Sequence, residues 1–202
     1  MLRQRIKNHL LAAVVLLAGI SLALPGTGYA QIKFQAAGTV KVTVEGTSNI
    51  HDWAMNTDKG TSTAFFILSP AGGIAAVNSV AFVMKAEDLK SEHKAMDKNT
   101  YNALHTDKNP TISFVSGAAT VQPTGSNTVA ITAKGKLTIA GVSKDVTLLA
   151  NGVVNADKSV TCTGSYKMKM TDFSVEPPSI MFGTIKTGND LNIKFTLQLK
   201  AS

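Results

Sequence analysis

The chain has 202 residues, 44% hydrophobic and 16% charged, with a formal charge of +7 and a single cysteine. One cysteine excludes an intramolecular disulfide framework, and Cys162 lies on the apolar parity of its segment, where a buried small hydrophobe is expected rather than a reactive thiol. The lysines are scattered along alternating segments (Lys134 and Lys136, Lys167 and Lys169), so the sequence offers no clustered basic surface for nucleic acid.

Residues 1–30 read as a secretory signal peptide. Arg3, Arg5 and Lys7 form a basic start, Leu10 to Leu24 an apolar run, and Gly28-Tyr29-Ala30 a small-residue cleavage site, with Gln31 as the expected mature N-terminus. The run falls short of the roughly 20 residues that span a bilayer, and Pro25-Gly26 breaks the pattern at its end. No second stretch of spanning length occurs, so no integral membrane segment is expected after cleavage. Cleavage would remove three of the 20 basic residues and none of the 13 acidic ones, leaving +4. Residues 31–202 are expected to form one domain, periplasmic or secreted, with a core that needs no disulfide staple.

Within that domain, apolar and polar residues alternate, which sends successive side chains to opposite faces of a strand. Strands are predicted over Thr39–Glu45, His51–Met55, Ser62–Leu68 and Ser79–Lys85. Leu89 to Leu104 breaks the alternation and reads as a connector with a short helix, Ser91 being the candidate N-cap. Pro110 then opens a strand over Thr111–Val121, followed by Thr128–Ile139, a tight turn at Ala140-Gly141, Asp145–Val154, and Val160–Thr171. Thr171 to Asn189 is an irregular Pro- and Gly-rich insert, and Leu191–Lys200 alternates without a break as the last strand.

About eight antiparallel strands, each with one apolar face, define an all-β fold that can be a sandwich or an up-and-down barrel, and the strand length favours a single up-and-down β-barrel. The inward parity carries Gly135, Gly164, Ala133 and Ala86, which would leave space, and Met84, Met168 and Met170, which adapt to a ligand of variable shape. The same small residues would equally suit bulky partners across the barrel, so a pocket and a filled core both remain open. By parity and apolarity, the candidate lumen residues are Phe82, Met84, Phe114, Ile131, Leu137, Tyr166, Met168 and Phe195. Trp53, sharing parity with His51 and Met55, either contacts a ligand at the barrel mouth or plugs that end. The Pro177–Gly188 insert, with Met181, Phe182 and Lys186, is either a portal or a fixed flap; Phe182 is counted with the lumen.

Catalytic and metal templates fail. His51, His93 and His105 lack ligand spacing, and no cysteine reinforces them, so neither metal nor cofactor is expected. Ser48 and Asp52 share a strand face while His51 takes the other, and neither a GxSxG elbow nor a carboxylate pair is present. The expectation is a protein that is not an enzyme.

Four stretches, in order, carry a resemblance: Val44–Trp53 (VEGTSNIHDW); Met96–Asn99 with Tyr101 and Ala103-Leu104; Asn109–Phe114 (NPTISF); and Gly135–Lys144 (GKLTIAGVSK). Together with Pro177-Pro178 and Phe182-Gly183-Thr184, they make the chain resemble the YceI-like domain family of secreted bacterial proteins. The resemblance implies a lipocalin-like barrel whose elongated apolar lumen holds a polyisoprenoid or similar long-chain lipid, without catalytic machinery. The expected function is sequestration or transport of that lipid. The alternatives are a filled barrel that presents its loops to a partner, and an enzyme acting on bound lipid through His51; a homodimer is left open.

Overall fold

The computed structural model describes residues 30–180 and 182–202; the signal-peptide reading and Met181 lie outside the described residues. The alternating segments become strands β1 (Gln31–Ser48), β2 (Asp52–Thr57), β3 (Thr61–Leu68) and β4 (Ile74–Lys85). Helix α1 (Lys94–Leu104) follows, then β5 (Thr111–Ser116), β6 (Thr120–Pro123), β7 (Thr128–Ile139), β8 (Val142–Val154) and β9 (Val160–Lys169). The two-residue β10 (Ser179–Ile180) and the long β11 (Ile185–Ala201) complete the chain.

Antiparallel pairing runs β1-β3-β4-β5-β7-β8-β9-β11 and returns to β1, closing a barrel of eight strands. Closure leaves no free edge around that circuit. β2 extends the wall made by β3, because β1 pairs β3 through Gln31–Gln35 and β2 through Val42–Thr47. β6 likewise extends β5 along β7. The sequence predicted a single strand over Thr111–Val121, but the chain leaves the ladder after Ser116 and rejoins it at Thr120, so one wall is built from two pieces. The last strand also starts earlier than its alternation indicated, at Ile185, which shortens the irregular insert. A bulge interrupts the ladder there: Gly46 opposes Leu191 but Ser48 opposes Thr187, so two extra residues, drawn from the polar and glycine run Thr187–Asp190, stand on β11 without changing the inward parity.

The predicted tight turn between β7 and β8 forms at Ala140 and Gly141, with φ of 49° and 77°. Two successive positive φ values are what a two-residue hairpin of this twist requires. In α1, the predicted N-cap is displaced. His93 occupies that position, while the Ser91 amide and hydroxyl both donate to Asp97 Oδ1 at 2.7 Å.

The interior divides in two. At the end where β1 begins and β11 finishes, Phe34, Phe66, Val77, Val160 and Leu199 are almost wholly buried in one cluster with Ile131. The Phe34 and Phe66 rings meet edge-on at 5.0 Å, an arrangement that adds about 0.5–1.5 kcal/mol beyond area burial. This end is solid. Cys162 belongs to it, and burial pushes its thiol up to about 12.

The inward glycines do not create space, which corrects the expectation drawn from their small size. Phe195 stands directly opposite Gly164, and a β-carbon there would overlap both its ring and the Leu149 carbonyl oxygen. Phe114 covers Gly135 in the same way, and Trp53, opposite Gly46, lies across that residue. Each glycine is the floor on which an aromatic ring rests.

Gly164→Ala should therefore destabilise the barrel by about 1–3 kcal/mol, the usual cost of overpacking, read as a lower urea midpoint at constant m-value. The same packing should keep Cys162 unreactive toward a disulfide reagent at pH 7 in the native protein, with one thiol per chain titrating in guanidinium; fast native labelling would contradict the buried assignment.

Candidate functional site

At the opposite end, the barrel wall is incomplete. β4 pairs β3 as far as Thr61 opposite Val83, then turns away after Lys85, so among the described residues β2 has no strand on its far side beyond the single bridge from Asn56 to Lys90. Helix α1 fills that gap. The Tyr101 hydroxyl ties it to the strap below, donating to the Leu89 and Glu87 carbonyls (2.7 and 3.0 Å) and accepting from Lys90 Nζ at 2.6 Å. Thr106 donates to Glu87 Oε1 at 2.9 Å just past the helix end. Asp97 anchors the first turn. Burial works against its charge, but the two hydrogen bonds from Ser91, helped by Lys90, outweigh it and hold the carboxyl below its ordinary value of 3.8.

The space enclosed between α1 and the barrel is a cavity of about 420 Å³, within the range of roughly 300–1,000 Å³ common for small-molecule sites. Its strand walls are Val42 and Val44 from β1, Trp53 and Met55 from β2, and Leu137 and Ile139 from β7, with Ile193 from β11 beside Val44. The helix contributes Met96, Ala103 and Leu104, with Asn99 and Thr100 beside them. Met84 and Met168 bring flexible thioethers, and Met170 and Val175 close the side beneath the insert. Among the described residues, no acidic or lysine side chain lines it. Polar groups gather toward the mouth, where Ser48, His51, His93 and Thr187 meet Ile50, Pro178 and Ile180.

The mouth is built by a loop-to-loop staple. Asn49, in the β1–β2 turn, donates from Nδ2 to the Thr184 carbonyl (2.9 Å) and accepts from the Lys186 amide (2.9 Å). That turn is set by Ser48, whose hydroxyl donates to the His51 carbonyl at 2.8 Å and accepts from the amides of Ile50 and His51. The hydroxyl is thus committed to the turn, and the His51 ring contacts the Asp52 carbonyl oxygen (2.8 Å) instead of a carboxylate. Ser48, His51 and Asp52 form no relay. Among the described residues, no group of three or more His, Cys, Asp or Glu side chains gathers at one point.

Of the lumen residues expected from parity, Trp53, Met84, Leu137 and Met168 face the cavity. Trp53 is held there by its indole N–H, which donates to the Thr47 carbonyl at 2.9 Å. Ile131 does not face it; alternation fixes which face a residue takes but not its height, and Ile131 belongs to the solid end. Phe114 is buried against Gly135, and Tyr166 packs beside the same cluster, where burial and then the charge of Asp172 raise its phenol. Phe82 and Phe195 lie between the two ends of the barrel. Phe182 points away from the lumen altogether, fully exposed at the tip of the β10–β11 turn with φ of 54°. The alternation reading missed the helix wall, since Ala95, Met96, Ala103 and Leu104 follow a helical spacing outside the strand count. The Pro177–Gly188 insert does reach the mouth through Pro178, Ile180, Ile185 and Thr187.

A closed antiparallel barrel with a single-ended apolar cavity and a helix laid across its open side defines a lipocalin-like protein. The YceI-like domain matches residues 27–199, and the chain belongs to that family. Comparison with curated proteins by sequence gives no match. Among solved structures, BcnA of Burkholderia cenocepacia is similar at a TM-score of 0.61 and 20% identity, over 80% of this chain and 96% of that one. A polyisoprenoid binding domain from Saccharophagus degradans, implicated in plant cell wall breakdown, is similar at a TM-score of 0.62 and 11% identity, over 85% and 99%. At these identities the likeness is one of fold.

Asp97 makes the helix wall sensitive to acid. Its folded-state value lies below the unfolded one, so the stability it contributes is present above about pH 4 and is lost as pH falls through the folded value. Asp97→Asn should cost about 1–2 kcal/mol at pH 7 and less at pH 2, toward the folded value. Equal losses at both pH values in urea titrations would show that the carboxylate charge is not what anchors α1.

Proposed function

We propose that this protein is a periplasmic or secreted carrier that sequesters or transports a polyisoprenoid-type lipid, holding its apolar chain in the cavity. The observation that carries the reading is the lining: about 420 Å³ walled by Val, Leu, Ile, Met and Trp side chains, with polar groups toward the mouth. An extended hydrocarbon gains there by leaving water, at about 0.8 kcal/mol per buried CH₂ before ordering costs. A polar end stays at the rim beside His51, His93 and Thr187. Trp53, Met84, Leu137 and Met168 contact the chain, and the adaptable methionines let it bend. Family membership supports this reading, as does the likeness in fold to a domain described as polyisoprenoid binding. The role is that of a binding protein without catalysis or cofactor. The secretory reading of residues 1–30 supplies the location.

Native mass spectrometry of the protein purified from its own cell envelope should show a one-to-one adduct whose extract fragments in five-carbon steps. Ala103→Phe, which pushes a ring from α1 into the cavity, should abolish the adduct while the far-ultraviolet circular dichroism stays that of the parent. A bare mass, together with no uptake of added prenyl alcohols, would return the protein to the class of filled barrels that act through their loops.

A further inference from the structure

The cavity has a bottom. Its deepest β1 residue is Val42, and Val42 stands opposite Phe195, the ring that rests on Gly164. Across the barrel, Phe82 packs against all three apolar clusters, those of both ends and that of the helix side. It pairs with Phe114, which covers Gly135. None of the three rings lines the cavity. At the waist of the barrel they form the layer next to its lining, Phe195 opposite Val42, Phe114 opposite Leu137 and Phe82 two residues before Met84, and beyond that layer lies the end built on Phe34, Phe66 and Val160. The waist also holds two buried hydroxyls, Ser62 opposite Phe82 and Ser116 opposite Val80, neither with a hydrogen-bond partner among the described residues. A hydrocarbon pushed past the rings would gain little from that polar layer.

The depth of the space above the floor sets the length of chain it can hold. From Ser48 at the mouth to Val42 at the bottom, six residues of strand advance about 20 Å, or about 15 Å along an axis tilted by about 40°. Three extended backbone bonds cover about 3.5 Å, so the four-carbon run of an isoprene unit covers about 4.5 Å, and the depth holds about three units.

We infer that Phe82, Phe114 and Phe195 form a floor that limits the buried chain to about three isoprene units, so that any longer prenyl tail leaves its remainder outside the mouth. This rests on the carrier reading and names the ligand length that goes with it. Prenyl alcohols of two to six units, delivered from cyclodextrin, would be titrated against the emission of Trp53, the sole tryptophan. Affinity should rise on the order of tenfold per unit up to three units and then level off. A continued rise through six units would overturn the floor and leave the carrier reading standing. Failure of every length to bind would overturn both. Phe82→Ala should move the break to a longer chain. A folded variant whose break does not move would remove Phe82 from the floor, and the ladder of the unaltered protein decides the limit even if that variant fails to fold.

Discussion

Everything in this molecule depends on the pairing of its first and last strands. β1 and β11 are the longest strands among the described residues, and they meet over most of their length, from Phe34 opposite Ala201 to Ser48 opposite Thr187. Without that ladder the remaining strands form an open sheet with two exposed edges, and the two inner faces have nothing to enclose. On the outer surface the seam is drawn together by Glu45, which accepts from Lys194 at 2.6 Å and Asn192 at 3.0 Å; those hydrogen bonds hold its carboxyl below the ordinary range. Inside, Val42 faces Phe195 and Val40 faces Leu197 across the same seam. The pairing joins residues about as far apart in sequence as the domain allows, so the loop-closure cost falls on the step that makes the barrel a barrel.

Closure also explains why the helix sits where it does. The bulge that lets β11 outrun β1 near Gly46, and the departure of β4 after Lys85, leave the mouth end short of one complete wall. An open sheet edge would be a liability there, whereas a helix satisfies its own backbone and can offer a curved apolar face. Tyr101 and Asp97 fasten α1 by hydrogen bonds while Leu104, Ala103 and Met96 pack against the apolar clusters, so the helix is a wall held by polar anchors on one side and apolar contacts on the other. Among the elements lining the cavity, it is the one that a change in local hydrogen bonding can loosen without breaking the barrel circuit.

The division between what could and could not be read from the sequence tracks the range of each signal. Alternation is local and dense, so the faces of β7, β9 and β11 and the Ala140-Gly141 turn were legible residue by residue. The family motifs supplied the closed topology that alternation alone leaves undecided. Height along the barrel axis has no local signature. Ile131 and Leu137 share a strand and a face, yet one lies in the solid end and the other on the cavity wall, because position depends on stagger between neighbouring strands. The glycines misled for a related reason: a missing side chain marks either open space or a partner's ring, and only cross-strand register separates Gly164 under Phe195 from a true void. Met96 and Ala103 were overlooked as lining because a strand count does not reach into a helix.

Hollowing only half of the barrel is what the energetics of packing favour. Apolar cavities cost on the order of 24 cal/mol per Å³ in lost contacts, which for about 420 Å³ is on the order of 10 kcal/mol, comparable with the whole net stability of a typical domain. Extending the hollow through the other end would remove the contacts of Phe34, Phe66, Val77 and Leu199 as well, and with them the surface that makes the seam between β1 and β11 worth forming. The solid end thus offsets the hollow one, and the aromatic rings at the waist mark where one regime gives way to the other. A ligand that fills the cavity restores the missing contacts and stabilises the fold by mass action, so binding and stability are two readings of the same packing deficit.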